Sequence, residues 1–211
     1  MCGIFFSLST STPVHPTEET CQLLRNRGSD SYHVHTVSSS SPYHLTFIST
    51  VLSLRGDHVH PQPLVDRESE SVLCWNGEAW KVDGAPVQDN DTELIFKLFL
   101  RAAAPREADT DRSSVQRLVG VINCISGPFS FVFYDAVNSM IFFSRDCLGR
   151  RSLLLGREAG NLEICSLCDG TSSTHFEEVG TDGLHVIHLG DSGYGTETLP
   201  WNGDWGLVSS Y

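Results

Sequence analysis

The first residues of the chain combine a reactive side chain with a chain terminus. Cys2 follows Met1 directly and precedes Gly3 and an apolar run at 4–8. Removal of Met1 would leave Cys2 with both a thiol and a free α-amine. Because an α-amine has a pKa of about 7.7–8.0, a share of it is neutral near pH 7 and can accept a proton. The pattern predicts an N-terminal nucleophile that carries its own base. The alternative is an incidental cysteine on a frayed chain end.

Polar residues that could bind a substrate stand at the ends of three apolar segments. Arg55 closes a strand-like segment, Asn76-Gly77-Glu78 follows another, and Asp91 opens a helical one. A guanidinium can grip a carboxylate, and amide N–H groups can stabilise an oxyanion. Each residue also has a structural alternative, namely a surface arginine, a hairpin turn at Asn-Gly and a helix N-cap.

The segments that must position these residues alternate between strand and helix patterns. Helices are predicted at 17–27 with Gly28 after it, from about 91 to Pro105, and after 113–114. Strands are predicted at 4–8, 44–54, 71–75, 129–134, 139–144, 152–155, 162–165 and 184–189. This order predicts an α+β fold of two mainly antiparallel sheets with helices on their outer faces.

Composition narrows the classes of partner. The chain has 211 residues and a net charge of −12, which argues against nucleic-acid and anionic-membrane partners because both require a basic surface. We expect no signal peptide or membrane-spanning segment and therefore a cytoplasmic protein. The seven cysteines fit free thiols in a reducing compartment.

Two motifs resemble metal sites without the context that a metal requires. Cys165 and Cys168 form a CxxC on a predicted strand, and no second pair stands at zinc-site spacing. His58 and His60 lie in a proline-bounded loop, which favours a solvated loop. We therefore predict no metal site.

Several separated motifs occur in the order found in class II glutamine amidotransferase domains. The chain most closely resembles the glutaminase domain of asparagine synthetases, in particular the asparagine synthetase domain-containing type, over about residues 2–190. The motifs that carry the resemblance are Cys2, Arg27-Gly28-Ser29-Asp30, Leu54-Arg55-Gly56, His60-Pro61-Gln62-Pro63-Leu64, Trp75-Asn76-Gly77-Glu78, Asp89 with Asp91, Gly127-Pro128-Phe129 and Arg145-Asp146-Cys147-Leu148-Gly149.

The resemblance implies a four-layer αββα sandwich of the N-terminal-nucleophile (Ntn) hydrolase kind and hydrolysis of L-glutamine through a thioester. The Cys2 thiolate would attack the carboxamide while its amine carries the proton. The Asn76 side chain and the Gly77 backbone N–H would stabilise the oxyanion.

The resemblance also implies how the free amino acid is held. Arg55 would grip its carboxylate, and Asp91 with Glu78 would hold its ammonium. The backbone near Val59 would contact glutamine, and hydrolysis itself would need no cofactor.

The sequence also departs from the family. Residues 2–190 are predicted to form the amidotransferase domain and 191–211 a C-terminal tail, the stub of a missing synthetase domain, because no phosphate loop of the synthetase type is present. ATP and Mg²⁺ would be needed only with a synthetase domain or partner chain. The motif 149–154 lacks the usual proline and tyrosine. An inactive scaffold that keeps the fold, or a glutaminase serving another acceptor, remain the alternatives.

Overall fold

The computed structural model describes residues 1–37, 42–54, 56–107, 113–158, 160–170 and 174–201. The strands in chain order are β1 (Gly3–Ser9), β2 (Ser31–Val37), β3 (His44–Val51), β4 (Leu64–Val65), β5 (Val72–Gly77), β6 (Lys81–Val82), β7 (Ala85–Pro86), β8 (Ile125–Ser126), β9 (Phe129–Asp135), β10 (Met140–Arg145), β11 (Leu154–Glu158), β12 (Asn161–Cys165), β13 (His175–Glu178), β14 (Gly183–Gly190) and β15 (Gly193–Pro200). The helices are α1 (Glu18–Arg27), α2 (Asp91–Ala103) and α3 (Ser113–Asn123).

Two six-stranded sheets form the body of the fold. The first has the order β13-β11-β12-β1-β3-β2 and the second β15-β14-β10-β9-β5-β4. All strand pairings within both sheets are antiparallel. A small third sheet has the order β7-β6-β8. The strand that begins at the amino terminus, β1, therefore lies inside the first sheet, between β3 and β12.

Side-chain alternation divides the apolar residues of each strand between two cores. In β1, Ile4 and Phe6 face the core between the sheets, whereas Phe5 packs on the other face with Leu24 of α1. In β5, Cys74 belongs to the core between the sheets and Trp75 to the core under α2 and α3. The layers are therefore α1, first sheet, second sheet, and α2 with α3, which confirms the predicted α+β sandwich.

The predicted first helix is confirmed, and the glycine that follows it meets a packing requirement. Thr17 caps α1 by accepting a hydrogen bond from Thr20 N at 3.1 Å. Gly28 follows with φ of −136° and donates its N–H to the Leu24 carbonyl oxygen at 3.1 Å. A Cβ on Gly28 would stand 2.6 Å from the carbonyl carbon of Thr50. Glycine is thus required by the contact with β3 rather than by a left-handed cap.

The structure corrects three further expectations. The strand predicted at 44–54 ends at Val51, and the edge strand β2 was not predicted. Asn76 and Gly77 pair with Ser130 and Phe129 inside the second sheet, so the alternative of a hairpin turn at Asn-Gly is wrong.

The second sheet also continues past the domain end predicted at residue 190. β15 pairs with β14 along its whole length, from Gly190 with Gly193 to Gly183 with Pro200. The remainder of the predicted tail, 202–211, lies outside the described residues.

Candidate active site

A pocket lies where the start of β1 meets the end of β5 and the start of α2. It gathers five of the seven predicted site residues, namely Cys2, Asn76, Gly77, Glu78 and Asp91. The other residues that line it are Met1, Val51, Leu52, Ser53, Leu54, His60, Gln62, Trp75, Asn90, Thr92 and Arg151.

Two predicted substrate contacts are not part of this lining. Val59 is partly exposed and does not line the pocket, although its neighbour His60 does. Arg55 falls outside the described residues. Both roles remain predictions.

Strand parity brings Cys2 and Asn76 together. Asn76 has the same parity as Val72 and Cys74 in β5, which face the first sheet. Cys2 has the same parity as Ile4 and Phe6 in β1, which face the second sheet. Because side chains alternate between the two faces of a strand, the thiol and the amide are directed into the space between the same two sheets.

Three hydrogen bonds fix the backbone at the amino terminus. Ile4 N donates to Ser166 Oγ at 3.0 Å, and Ser166 N donates to the Ile4 carbonyl oxygen at 2.8 Å. Arg27 Nε donates to the Cys2 carbonyl oxygen at 2.9 Å. The chain end is therefore held on both sides, which contradicts the alternative of a frayed terminus.

The Cys2 thiol is half-buried and lies 3.9 Å from the Leu52 carbonyl oxygen. Burial raises the pKa of the Cys2 thiol, and the nearby Asp91 carboxylate raises it further. The chain's α-amine and Arg151 oppose these effects by lowering the same pKa. Burial also lowers the pKa of the Met1 α-amine, as do Arg27 and Arg151. In the chain that retains Met1, a protonated thiol thus stands beside an amine that gives up its proton readily.

Asn76 offers the pocket an unused hydrogen-bond donor. The residue is 1% exposed, and its Nδ2 is buried with no hydrogen-bond partner among the described residues. A buried donor without a partner costs about 1–3 kcal/mol, and such groups are rare in folded proteins. A ligand oxygen in the pocket would remove that cost.

The N–H of Gly77 points toward the outer edge of β5. Glu78 N donates to the Pro128 carbonyl oxygen at 2.8 Å, which directs it toward β9. Trp75 N donates instead to Gln62 Oε1 at 2.7 Å, on the opposite side. N–H directions alternate along an antiparallel ladder, so Gly77 N–H shares the direction of Trp75 N–H. A Cβ at Gly77 would stand 2.6 Å from the Trp75 ring, so only glycine fits here.

Asp91 fixes the corner between β5 and α2. It is 5% exposed, and its Oδ2 accepts hydrogen bonds from Trp75 Nε1 at 3.0 Å and from Ala79 N at 2.7 Å. The N-cap of α2 is Asn90, whose side chain accepts from Thr92 N. The alternative of Asp91 as a simple N-cap is therefore wrong, and its carboxylate is oriented beside Cys2.

Sequence reasoning did not assign site roles to Gln62 or Arg151. Gln62 is 2% exposed and holds the Trp75 backbone that precedes Asn76. Its place in the proline-bounded motif was the available signal. Arg151 lines the pocket from the loop after β10, and its motif was noted only as a departure from the family.

The contacts of Arg145 and Asp146 are structural. Arg145 Nε donates to the Arg151 carbonyl oxygen at 2.8 Å and Nη2 to the Gly149 carbonyl oxygen at 2.6 Å. Asp146 Oδ2 accepts from Phe129 N at 3.1 Å. This pair therefore supports the loop that carries Arg151.

Cys165 and Cys168 lie away from this pocket, beside α1. Burial raises the pKa of the Cys165 thiol. Within the described part of the chain, no three His, Cys, Asp or Glu side chains are grouped so that they could hold a metal ion. In the same residues, no helix has the length and apolar character needed to span a bilayer.

Curated relatives confirm the resemblance found in the sequence, although no family model matches the chain. A Gallus gallus protein named asparagine synthetase domain-containing protein 1 is 33% identical over 80% of this chain and 25% of its own length. The Mus musculus protein of the same name is 30% identical over 95% of this chain and 32% of its own. The chain therefore spans about a quarter to a third of the length of these relatives.

Solved structures confirm the fold. Glutamine phosphoribosylpyrophosphate amidotransferase from B. subtilis superposes with a TM-score of 0.62 at 14% identity, over 93% of this chain and 49% of that chain. A structure described as the allosteric regulatory enzyme of purine biosynthesis gives a TM-score of 0.61 at 16% identity, over 93% and 48%.

Proposed function

We propose, for a chain that is similar to asparagine synthetase domain-containing proteins and has the Ntn-hydrolase fold of class II glutamine amidotransferases, that it hydrolyses L-glutamine to glutamate and ammonia. Cys2, freed of Met1, is the nucleophile. The observation that carries this proposal is the convergence in one pocket of the Cys2 thiol and the buried Asn76 Nδ2, which has no hydrogen-bond partner among the described residues. Acyl transfer requires at least a nucleophile and a hydrogen-bond donor for the oxyanion close to it.

The first half of the reaction forms a thioester. The Cys2 α-amine takes the thiol proton, and the sulfur attacks the carboxamide carbon of glutamine. Asn76 Nδ2–H and Gly77 N–H donate to the oxygen that becomes negative. When the tetrahedral intermediate collapses, the carbon–nitrogen bond breaks and the ammonium of Cys2 returns its proton to the departing nitrogen, which leaves as ammonia.

The second half releases glutamate. A water molecule gives a proton to the same amine and attacks the thioester carbon. The same two donors stabilise the second oxyanion. Cleavage of the carbon–sulfur bond returns the proton to sulfur and leaves free glutamate. No metal or organic cofactor enters either half.

Charge in the pocket supports recognition of a free amino acid. Asp91, oriented by Trp75 and Ala79, and Glu78 provide negative charge for the substrate ammonium. Arg55 remains the proposed partner of the substrate carboxylate. A guanidinium can bind a carboxylate through two parallel hydrogen bonds, which would set the distance from that end of glutamine to Cys2.

The fate of the ammonia is a further part of the proposal. The relatives are named for an asparagine synthetase domain, and this chain spans a quarter to a third of their length. We propose that a synthetase domain or partner chain, with ATP and Mg²⁺, uses the ammonia to make asparagine. A cytoplasmic location suits a reaction that needs a reduced thiol.

The test is a glutaminase assay on protein with Met1 removed, as verified by mass spectrometry. We expect ammonia and glutamate in equal amounts from the processed protein and none above background from Cys2→Ala. Cys124→Ala is the matched control, because Cys124 is a half-buried free thiol at the end of α3, outside the pocket.

A processed, folded protein that releases no ammonia from glutamine would exclude the proposal. It would favour instead a scaffold that keeps the fold. Activity that persists in Cys2→Ala would exclude the assigned nucleophile.

A further inference from the structure

Arg151 brings a guanidinium to the pocket that holds Cys2. The residue is half-buried. Its Nε is buried and finds no hydrogen-bond partner in the described part of the chain. A buried donor on a cation normally pairs with an acceptor or an anion. The pocket therefore contains two unused buried donors, Arg151 Nε and Asn76 Nδ2, and both lie in the lining that includes the thiol.

Arg145 holds the backbone of the loop that contains Arg151. Arg145 is 6% exposed and binds the carbonyl oxygens of Arg151 and Gly149, at 2.8 Å and 2.6 Å. Gly149 has φ of +62°, and a Cβ there would stand 2.8 Å from Arg145 Nη2. Because the loop is held by these contacts, the Arg151 side chain starts from a defined position at the edge of the pocket.

Arg27, a second cation near Cys2 among the described residues, already makes hydrogen bonds. Its Nε donates to the Cys2 carbonyl oxygen at 2.9 Å and its Nη1 to Ser152 Oγ at 3.0 Å. Arg27 thus positions the backbone of Cys2. Among the described residues Arg151 Nε makes no such bond, so its charge remains available to the thiol.

The charged and titratable groups around the nucleophile come from every neighbouring element. They are the chain's α-amine, Arg27 of α1, Asp30 before β2, His60 of the loop after β3, Glu78 after β5, Asp91 of α2, and Arg151. Asp91 opposes loss of the thiol proton, whereas Arg151 favours it. Arg151 also favours loss of a proton from the Met1 α-amine, the amine that is present while Met1 is retained.

We propose that Arg151 is a positioning residue of the nucleophile, whose guanidinium offsets the Asp91 charge and keeps the thiol–amine pair of Cys2 in its reactive, less protonated form. In turnover, this means a neutral amine ready to accept the thiol proton and a stabilised sulfur anion after the transfer. The consequence for turnover rests on the proposed glutaminase function. The effect of Arg151 on the reactivity of the Cys2 thiol does not depend on that function.

The first test measures how fast iodoacetamide alkylates Cys2 across pH in Met1-free protein, by mass spectrometry of the amino-terminal peptide. The thiolate is the reacting form. We expect Arg151→Gln to shift the profile upward by about half to one pH unit, which is about a threefold to tenfold lower rate at pH 7. Arg151→Lys keeps the charge and should stay closer to the unchanged protein.

Arg157→Gln is the matched control, because Arg157 is exposed on β11 and does not line the pocket. Circular dichroism and a thermal melt establish that each variant is folded. If Arg151→Gln is unfolded, the comparison passes to Arg151→Met and Arg151→Lys, which both retain a long aliphatic stem. Coincident profiles for the neutral variant, Arg157→Gln and the unchanged protein would overturn the proposal.

A second measurement separates this inference from the proposed function. Where glutamine is hydrolysed, Arg151→Gln should move the acid limb of the kcat/KM profile to higher pH, because the amine then holds its proton more tightly. An unmoved acid limb with an active variant would also overturn the proposal. If the unchanged protein hydrolyses no glutamine, the proposed function fails, whereas the alkylation profile still decides the role of Arg151.

Discussion

Asn76 is the residue at which folding and function make opposite demands. Its side chain is nearly fully buried, yet its Nδ2 lacks a partner among the described residues. Folding alone would favour an apolar side chain at this position, because an unpaired buried donor is destabilising. A polar donor kept at such a position is typical of a group that waits for a ligand. The same conflict exists at Arg151, whose buried Nε also lacks a partner in the described part of the chain.

We expect Asn76→Ala to lower kcat by about 10²–10³, because one oxyanion donor is lost. The melting temperature should change little, since Nδ2 makes no hydrogen bond that the substitution would break. Steady-state kinetics and a thermal melt test both expectations on one sample. A variant with unchanged kcat would contradict the assigned oxyanion role, and a large drop in melting temperature would instead indicate a structural role.

Residue type and order selected four residues that the structure places in one pocket. Cys2, Asn76, Gly77 and Asp91 were identified by residue type and order, and all four line one pocket. Arg151 was missed because its position depends on Arg145 and on packing that sequence spacing does not encode. Asp91 was found, but its two donors, Trp75 Nε1 and Ala79 N, follow from the fold.

At the scale of elements, β1 determines how firmly the nucleophile is held. All seven of its residues are buried, and β3 and β12 flank it. Near the start of β1, Ser166 forms hydrogen bonds with both the N–H and the C=O of Ile4. Ser166 directly follows β12. The backbone of β1 is therefore fixed by hydrogen bonds to within two residues of Cys2.

We expect Ser166→Ala to lower the free energy of unfolding by about 1–3 kcal/mol, because Ile4 N–H would be left buried without its acceptor. Glutaminase activity should fall as well, since the anchor of Cys2 is loosened. Urea unfolding and ammonia release test the two effects. Ser126→Ala, at an exposed position, should change neither, and equal stability of both variants would contradict the anchoring role.

Sequence patterns predicted the elements of the core better than those of the edges. Runs such as β9 and β10 are continuous and apolar, so their strands and hairpin were evident. The edge strand β2 alternates weakly, with half-buried and exposed residues throughout, and it was missed. Asn76-Gly77 reads as a turn in isolation, whereas pairing with β9 keeps it extended.

At the scale of the whole molecule, residues of both six-stranded sheets form the pocket. Cys2 comes from the first sheet and Asn76 from the second, and the core between the sheets fixes their separation. Neither sheet could form this site alone. The layered architecture was predictable from the order of elements, but the register that joins the two chemical groups was not, because it depends on long-range packing.

The second sheet includes β15, so we expect a 1–190 fragment to be less stable than a 1–201 fragment. Truncation at 190 removes the strand paired with β14 and also Trp201, whose Nε1 donates to the Thr181 carbonyl oxygen at 2.7 Å. Melting temperatures of the two fragments test this expectation. Equal values would support the predicted end of the domain at 190.

The position of Met1 has a practical consequence for anyone who produces this protein. Its side chain already lines the pocket beside Cys2 and approaches Arg27 Nη2 at 3.8 Å through its sulfur. An affinity tag or fluorescent reporter fused in front of it would crowd the same space and prevent the removal of Met1, so that the nitrogen of Cys2 would stay in an amide. Purification handles therefore belong at the other terminus.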